Sequence, residues 1–400
     1  LRPIQQLESM PYPSQVPFAD CLLGYNAGPP ISGIFPMPSG PESRLRAALE
    51  QYVEPNTGLT LAAAGALESV DSTPAGLVAK IVLGFPVEGY RRELEIALAG
   101  QAAAAGVLDP FAIELRSQIP AFVADRRMRP LPEVGNVMAV ASGKGGVGKS
   151  TVAANLALAL SAQGARVGLL DADIYGPSQP RMMGLAGERP TTTDGKSFDP
   201  PRGHGIPVMS IGFLIDSDQP MAWRGPMVTQ ALAQMLSDTR WGVLDYLVVD
   251  MPPGTGDIQL TLTQRVPVSG AIIVTTPQEI ALLDARKGLQ MFRKVGVPVL
   301  GIVENMGLHR CQACGHESHI FDTGGGAELA RRYDTTLLGQ LPLEARIREL
   351  VDGGTPTVVA DPASQTAGIF HAIARRAAGR LAASARQGAV TMPAISIEDE

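Results

Sequence analysis

Nine consecutive residues, Gly143-Lys144-Gly145-Gly146-Val147-Gly148-Lys149-Ser150-Thr151, concentrate the chemistry of this chain. Gly143 to Ser150 match the pattern G-x-x-x-x-G-K-[ST] in full. Glycines let successive backbone N–H groups turn inward around a phosphate. A helix beginning at Lys149 would add the positive end of its dipole at the same point. Lys149 would then reach the β- and γ-phosphates of a nucleotide, and the Ser150 hydroxyl would ligate Mg²⁺. Such a loop must lie between a strand and a helix, and the apolar run Val137–Ala141 and the helical pattern Lys149–Gln163 supply both.

Carboxylates follow two other apolar runs. The strand candidate Arg166–Leu170 leads into Asp171-Ala172-Asp173-Ile174-Tyr175-Gly176-Pro177-Ser178, placing Asp171 and Asp173 at the edge of a sheet where open α/β folds bind nucleotides. Either could instead cap the turn that follows. Tyr246–Val249 runs into Asp250-Met251-Pro252-Pro253-Gly254-Thr255-Gly256-Asp257. An Asp at the end of a buried strand can hold Mg²⁺ through a water, and Gly254 and Gly256 leave the loop free to respond to a γ-phosphate.

The third cluster is His309-Arg310-Cys311-Gln312-Ala313-Cys314-Gly315-His316-Glu317-Ser318-His319, which holds two of the three cysteines. Thiolates at this spacing can point at one metal centre. One chain offers two, whereas a [4Fe-4S] cluster needs four, so a symmetric dimer would supply Cys311 and Cys314 twice across its axis. A Cys₂His₂ zinc site built with His316 and His319, or a redox disulfide, stays open on residue types alone. Cys21, isolated among prolines, is not expected to be a ligand.

The elements that position these groups alternate. Strand candidates also include Ala271–Thr275, Val297–Val303 and Thr336–Leu338; helix candidates include Met227–Ser237, Pro277–Val295, Gly326–Tyr333, Leu343–Val351 and Ala363–Ala383. This pattern predicts an α/β fold with a doubly wound, mostly parallel sheet over residues 136–385. Ahead of it, residues 43–120 read as a small α+β domain. It has a helix capped by Ser43 with Leu45, Leu49 and Val53 on one side, a turn at Glu54-Pro55-Asn56-Thr57-Gly58, a strand Leu77–Leu83, a helix near Glu88–Ala105 and a strand Ala112–Leu115. Residues 121–135 read as a charged, proline-bearing linker, residues 1–42 as Pro/Gly-rich extended or disordered chain, and residues 386–400 as an acidic tail.

Composition narrows the partners. Against 33 Lys and Arg stand 39 Asp and Glu, a net charge of −6, so no global positive field is available for nucleic acid or an anionic membrane. No run approaches the ~20 apolar residues that span a bilayer, the N-terminus lacks the order of a signal peptide, and three cysteines are too few for a disulfide-stapled fold. A cytoplasmic protein without nucleic-acid or membrane partners is expected.

Lys144 gives the loop the form Lys-Gly-Gly-Val-Gly-Lys-Ser, which resembles the deviant Walker A of the MinD/ParA/nitrogenase iron-protein class. Adding the Asp171–Ser178 and Asp250–Asp257 segments, Thr276-Pro277-Gln278-Glu279, Glu304-Asn305-Met306 and the Cys-x-x-Cys before Ile320-Phe321, the chain closely resembles the Mrp/ApbC family of iron-sulfur cluster carrier ATPases. The resemblance implies a P-loop NTPase that binds ATP and Mg²⁺, hydrolyses ATP slowly as a homodimer, and carries a transferable [4Fe-4S] cluster on paired cysteines to apoproteins, with cluster scaffold proteins as further partners. By the same resemblance Lys144 crosses to the partner's phosphates, and Asp173 orients or deprotonates the attacking water while Asp171 assists near Mg²⁺. Asn305 contacts the adenine, with Leu341-Pro342-Leu343 closing on the base. Residues 43–120 look like the small domain fused ahead of such ATPases. With Gly84-Phe85-Pro86 and no cysteine, that domain is expected to dock a partner rather than a metal. Competing expectations are a MinD/ParA-like partitioning or positioning ATPase with a structural zinc at the Cys pair, and a nitrogenase-like reductase, which would draw its ligands from widely separated cysteines.

Overall fold

The computed structural model describes residues 40–125, 127–214, 225–311 and 314–390. The expectations for residues 1–39, including Cys21, and for residues 391–400 lie outside the described residues. The described residues from Gly40 to Val390 belong to one compact unit that contains two main sheets.

The first part runs α1 (Pro41–Glu50), β1 (Val53–Glu54), β2 (Leu59–Thr60), α2 (Leu61–Ala64), β3 (Leu67–Thr73), β4 (Gly76–Leu83), α3 (Arg91–Ala104) and β5 (Phe111–Ser117). β4 lies between antiparallel β3 and parallel β5, and alternate β4 residues (Leu77, Ala79, Ile81, Leu83) face the core. Ser43 is not the cap of α1. Gly40 is, because Pro41 with its fixed φ opens the helix and puts Ser43 inside the first turn. Val53, expected on the apolar side, is exposed in β1, because α1 stops at Glu50.

The Glu54–Gly58 turn is organised by a buried carboxylate. Glu54 is fully buried and accepts hydrogen bonds from Asn56 Nδ2 (2.6 Å), Thr57 N–H (2.7 Å) and Tyr90 O–H (2.8 Å). Burial, followed by the charge of Glu54, raises the Tyr90 phenol, so it stays a donor. Phe85 fills the position after β4 and packs 6.1 Å from the Tyr90 ring.

The second part runs β6 (Val134–Ser142), α4 (Lys149–Ala162), β7 (Val167–Asp171), α5 (Gln179–Met182), β8 (Arg202–Gly203), β9 (Ile206–Ser210), α6 (Gly225–Asp238), β10 (Leu244–Asp250), α7 (Asp257–Arg265), β11 (Gly270–Thr275), α8 (Glu279–Lys294), β12 (Val299–Arg310), β13 (Glu317–Ser318), α9 (Gly325–Arg332), β14 (Leu337–Pro342), α10 (Ala345–Asp352), α11 (Thr357–Ala360) and α12 (Gln365–Val390). Its sheet has the order β13-β12-β11-β6-β10-β7-β9-β8, with β14 also paired to β12. β14, β12, β11, β6, β10, β7 and β9 pair in parallel; β13 and β8 are short antiparallel additions. β6, β7, β10 and β11 are buried along almost their whole length, as strands covered on both faces must be. The chain leaves β6 for β7 on one side and later fills β11 on the other, so the segment after β6 opens at the point where strand order reverses.

Several elements escape a reading by pattern. β3 mixes polar and apolar residues, β9 carries Pro207, and α7 begins at Asp257, directly after the glycine-bearing loop. The stretch expected as a linker is tied down: Phe122 N–H bonds Gly135 O (3.1 Å), Ala124 N–H bonds Val268 O (3.3 Å), and the Ser269 hydroxyl bonds Phe122 O. α12 continues to Val390, beyond the expected boundary at 385, and packs on α4 and β14. It also reaches the first part. Gly379 lies so close to Asn56 that a side chain there would strike its backbone, Arg380 Nη1 donates to Thr57 O (3.2 Å), and the Arg375 guanidinium sits 4.6 Å from the Tyr90 ring centre.

Two outcomes follow for stability. Tyr90→Phe leaves the buried Glu54 carboxylate short of one donor and lowers unfolding free energy by about 1–3 kcal/mol in urea denaturation; an unchanged midpoint would contradict the role given to Glu54. Burial, then the charge of Arg375, lowers the pKa of His371. The unfolded chain therefore binds this proton more tightly, so the contribution is intact above about pH 6.5 and is lost as pH falls. His371→Gln is expected to flatten the acid limb of a stability–pH profile.

Candidate functional site

At the end of β6 the Ser142 hydroxyl donates to Lys144 O (2.9 Å) and starts the loop. Gly146 and Gly148 adopt φ of 81° and 83°, left-handed values that favour glycine. A side chain on Gly143 would run into the Asp284–Ala285 backbone of α8, and one on Gly148 into the Asn305 amide. At Gly145 and Gly146, by contrast, an added Cβ meets nothing within 4 Å. α4 then begins at Lys149 with Gly148 as its N-cap and no side-chain cap, leaving the first N–H groups of the helix to a ligand.

Lys149 is buried and its ammonium pairs with Asp250 Oδ1, stands 3.8 Å from Asp173 Oδ2 and donates to Ser150 Oγ (3.2 Å). Asp250 ends β10 and is fully buried. Asp173 is raised by burial, against which the Lys149 charge pulls it down. Asp171 differs in role from its neighbour. Its oxygens accept from the backbone N–H of Asp173 (3.1 Å), Ser178 (3.0 Å) and Gln179 (3.1 Å) and from the Ser210 hydroxyl (3.1 Å). Burial and then repulsion from Asp250 push its carboxyl up to about 7. The capping role open to Asp171 is thus filled in full, and it shapes the loop that presents Asp173.

Lys144 is half-buried, its Nζ 3.4 Å from Oε1 of Gln278, the N-cap of α8. Asn305 donates from Nδ2 to Val147 O (2.9 Å) while its Oδ1 accepts from Met306 N–H (3.0 Å), so this strand residue clasps the P-loop backbone. Leu341 and Pro342 line a cleft of about 210 Å³, open to solvent, with Gly307, Gln340 and Ile369.

The oxygens of Ser150 and Asp250 are hard donors on adjoining elements, which suits Mg²⁺. Two polar residues of this region carry no role in the sequence reading. Gln179 is fully buried and donates to Ser150 O (3.0 Å) and Asp250 Oδ2 (2.9 Å). Glu304, also fully buried, accepts from Gly326 N–H (2.5 Å) and Gln340 Nε2 (2.6 Å). A carboxylate inside the apolar run Val299–Val303 onward was the available signal for Glu304, since such a group needs donors.

β12 ends in the cysteine hairpin. Cys311 N–H bonds His316 O (2.9 Å), Gly315 N–H bonds Cys311 O (2.8 Å), Gly315 turns at φ 71°, and Arg310 pairs with Glu317 across the strands (2.5 Å). Cys311 is half-buried and Cys314 exposed; Gln312 and Ala313 lie outside the described residues. His319 Nδ1 lies 2.8 Å from Gly307 O and His309 Nδ1 lies 3.1 Å from Leu343 O, which ties both imidazoles to backbone carbonyls. Among the described residues, no three His, Cys, Asp or Glu are gathered to hold a metal ion.

A parallel sheet with its phosphate loop at the strand-order reversal, and with the lysine, serine and buried aspartate around it, defines a P-loop NTPase. Residues 133–378 match the ParA family described as NUBPL iron-transfer P-loop NTPase, and the chain belongs to that family. The iron-sulfur cluster carrier protein of Pseudomonas fragi is 59% identical over 263 residues, 66% of this chain and 92% of that one. The iron-sulfur cluster transfer protein NUBPL of Mus musculus is 51% identical over 260 residues, 64% of this chain and 81% of that one. A nucleotide-binding protein from Archaeoglobus fulgidus, solved in complex with ADP, is 40% identical, with a TM-score of 0.50 over 56% of this chain and 87% of that one.

Lys149→Ala removes the cation beside Ser150 and Asp250. ADP affinity, followed by fluorescence titration, is expected to fall about tenfold or more, the worth of a charge-assisted hydrogen bond. Wild-type affinity would remove Lys149 from the nucleotide site.

Proposed function

We propose that this chain is an ATP hydrolase whose cargo is a labile [4Fe-4S] cluster, held between two copies of the chain and delivered to apo iron-sulfur proteins. The observation that carries the reading is the placement of half-buried Cys311 and exposed Cys314 just beyond the end of β12, the same strand whose Asn305 clasps the P-loop. Two thiolates from each protomer complete the four that a [4Fe-4S] cluster takes, and a seam between protomers is where such a cargo can be released. The names borne by the Pseudomonas fragi and mouse relatives support the same cargo. Thiolates keep this ligand role in a reducing compartment such as the cytoplasm.

In the nucleotide site the backbone of Gly143 to Thr151 encloses the phosphates and Lys149 exchanges its carboxylate partners for phosphate oxygens. Asp173, one loop away from Lys149, orients the attacking water and takes up its proton. Ser150 and Asp250 would hold Mg²⁺, which supplies charge neutralisation at the phosphates. Lys144, reaching across the dimer, adds a second cation there. Asn305 and the Leu341–Leu343 segment bracket the base. Nucleotide state changes the fit of the two protomers and so the grip of their hairpins on the cluster.

Cys311→Ala and Cys314→Ala should each abolish uptake of iron and sulfide on anaerobic reconstitution, read by absorption and metal analysis, while ADP binding persists. Full stoichiometric uptake by the double variant would refute the ligand assignment. Stoichiometric zinc in a strictly monomeric wild type would refute the shared cluster.

A further inference from the structure

We infer that Gln179 is a positioning residue for the divalent cation of the nucleotide site, joining the two elements that supply its donors and accepting a hydrogen bond from its hydration shell. The inference rests on the nucleotide reading above and deepens it. Gln179 is the first residue of α5, follows Pro177 and Ser178, and is fully buried. Its Nε2 donates both to Ser150 O (3.0 Å), in the first turn of α4, and to Asp250 Oδ2 (2.9 Å), at the end of β10. Its backbone N–H donates to Asp171 Oδ2 (3.1 Å), so one residue joins the P-loop helix, the β10 aspartate and the β7 aspartate.

The amide orientation is dictated by chemistry. Ser150 O and the Asp250 carboxylate only accept, so the NH₂ group must face them. The reversed orientation would set three oxygens against one another. That leaves Oε1 buried, with no hydrogen-bond donor among the described residues. A buried carbonyl oxygen without a donor is costly, and here it belongs to an amide whose nitrogen already touches the Asp250 carboxylate. Water bound to Mg²⁺ is a strong donor, and Mg²⁺ keeps several waters when proteins hold it through one or two side chains. Partners of this outer kind fix ligand orientation, and their loss typically lowers metal affinity about 10–100-fold. Packing alone would be met by an apolar side chain of the same size. The polar choice makes sense if both ends of the amide are used.

The test is Mn²⁺ binding to the full-length protein in the presence of ADP, read from the EPR signal of unbound Mn²⁺, beside metal-free ADP binding. Gln179→Leu roughly keeps the volume and loses both side-chain hydrogen bonds while the backbone N–H to Asp171 remains; Gln179→Met serves the same purpose should the leucine variant fail to fold. The expected result is a Mn²⁺ affinity about 10–100-fold weaker with metal-free ADP affinity unchanged. Wild-type Mn²⁺ affinity in a folded variant would overturn the inference, as would an equal loss in metal-free ADP binding, the mark of a staple that merely supports the loop. Neither readout involves the cluster, so failure of the carrier reading appears separately, in the cysteine variants.

Discussion

Three ionisable groups withdrawn from water at the mouth of the sheet, Lys149, Asp250 and Asp173, set the terms for everything around them. A buried carboxylate is tolerable only with a partner, and removing one member of such a group strands the others. Parallel register brings a fourth charge close: Asp250 pairs with Asp171 on neighbouring strands. The two carboxylates are kept compatible by different means. Asp250 has the ammonium and the Gln179 amide, and Asp171 has three backbone N–H groups and a hydroxyl. The loop after β7 folds as it does in order to deliver those donors. The nucleotide pocket is thus a solution to a charge problem as much as a shape.

What could be read from residue order alone divides along physical lines. The phosphate loop, the doubly wound sheet and the carboxylates after β7 and β10 were legible because glycine spacing and long apolar runs have few alternative uses. Ser43 misled because a serine is a good cap anywhere near a helix start, while the conformational restriction of Pro41 decides the matter two residues earlier. β3 was invisible since half its residues face water at irregular intervals, and α7 because the glycines before it dominate the local signal. Gln179 and Glu304 could not be assigned partners, for the partners lie on other elements: Ser150 and Asp250 in one case, Gly326 and Gln340 in the other. Within residues 43–120 the helices and the two strands read from the sequence correspond to α1, α3, β4 and β5, whereas the attachment to α12 has no local signature.

β12 joins the two chemistries. Glu304 fixes it to α9 and β14, Asn305 fixes it to the P-loop, and Cys311 follows Asn305 by six residues, at most about 20 Å of extended chain. Between them Met306 turns at φ 63° and the imidazole of His319 grips Gly307 O, so the hairpin is attached at several points rather than hung from one.

The contact between α12 and the Glu54–Gly58 turn has a bearing on how the chain is made. Gly379 and Arg380 cover Asn56 and Thr57, more than three hundred positions upstream. During synthesis the Glu54–Gly58 turn emerges well before the α12 residues that cover it, which follow roughly 15–60 s later at ordinary elongation rates. Throughout that interval the face destined for α12 stays open to water, to chaperones and to neighbouring nascent chains. α12 is therefore a late clasp on a turn made long before it.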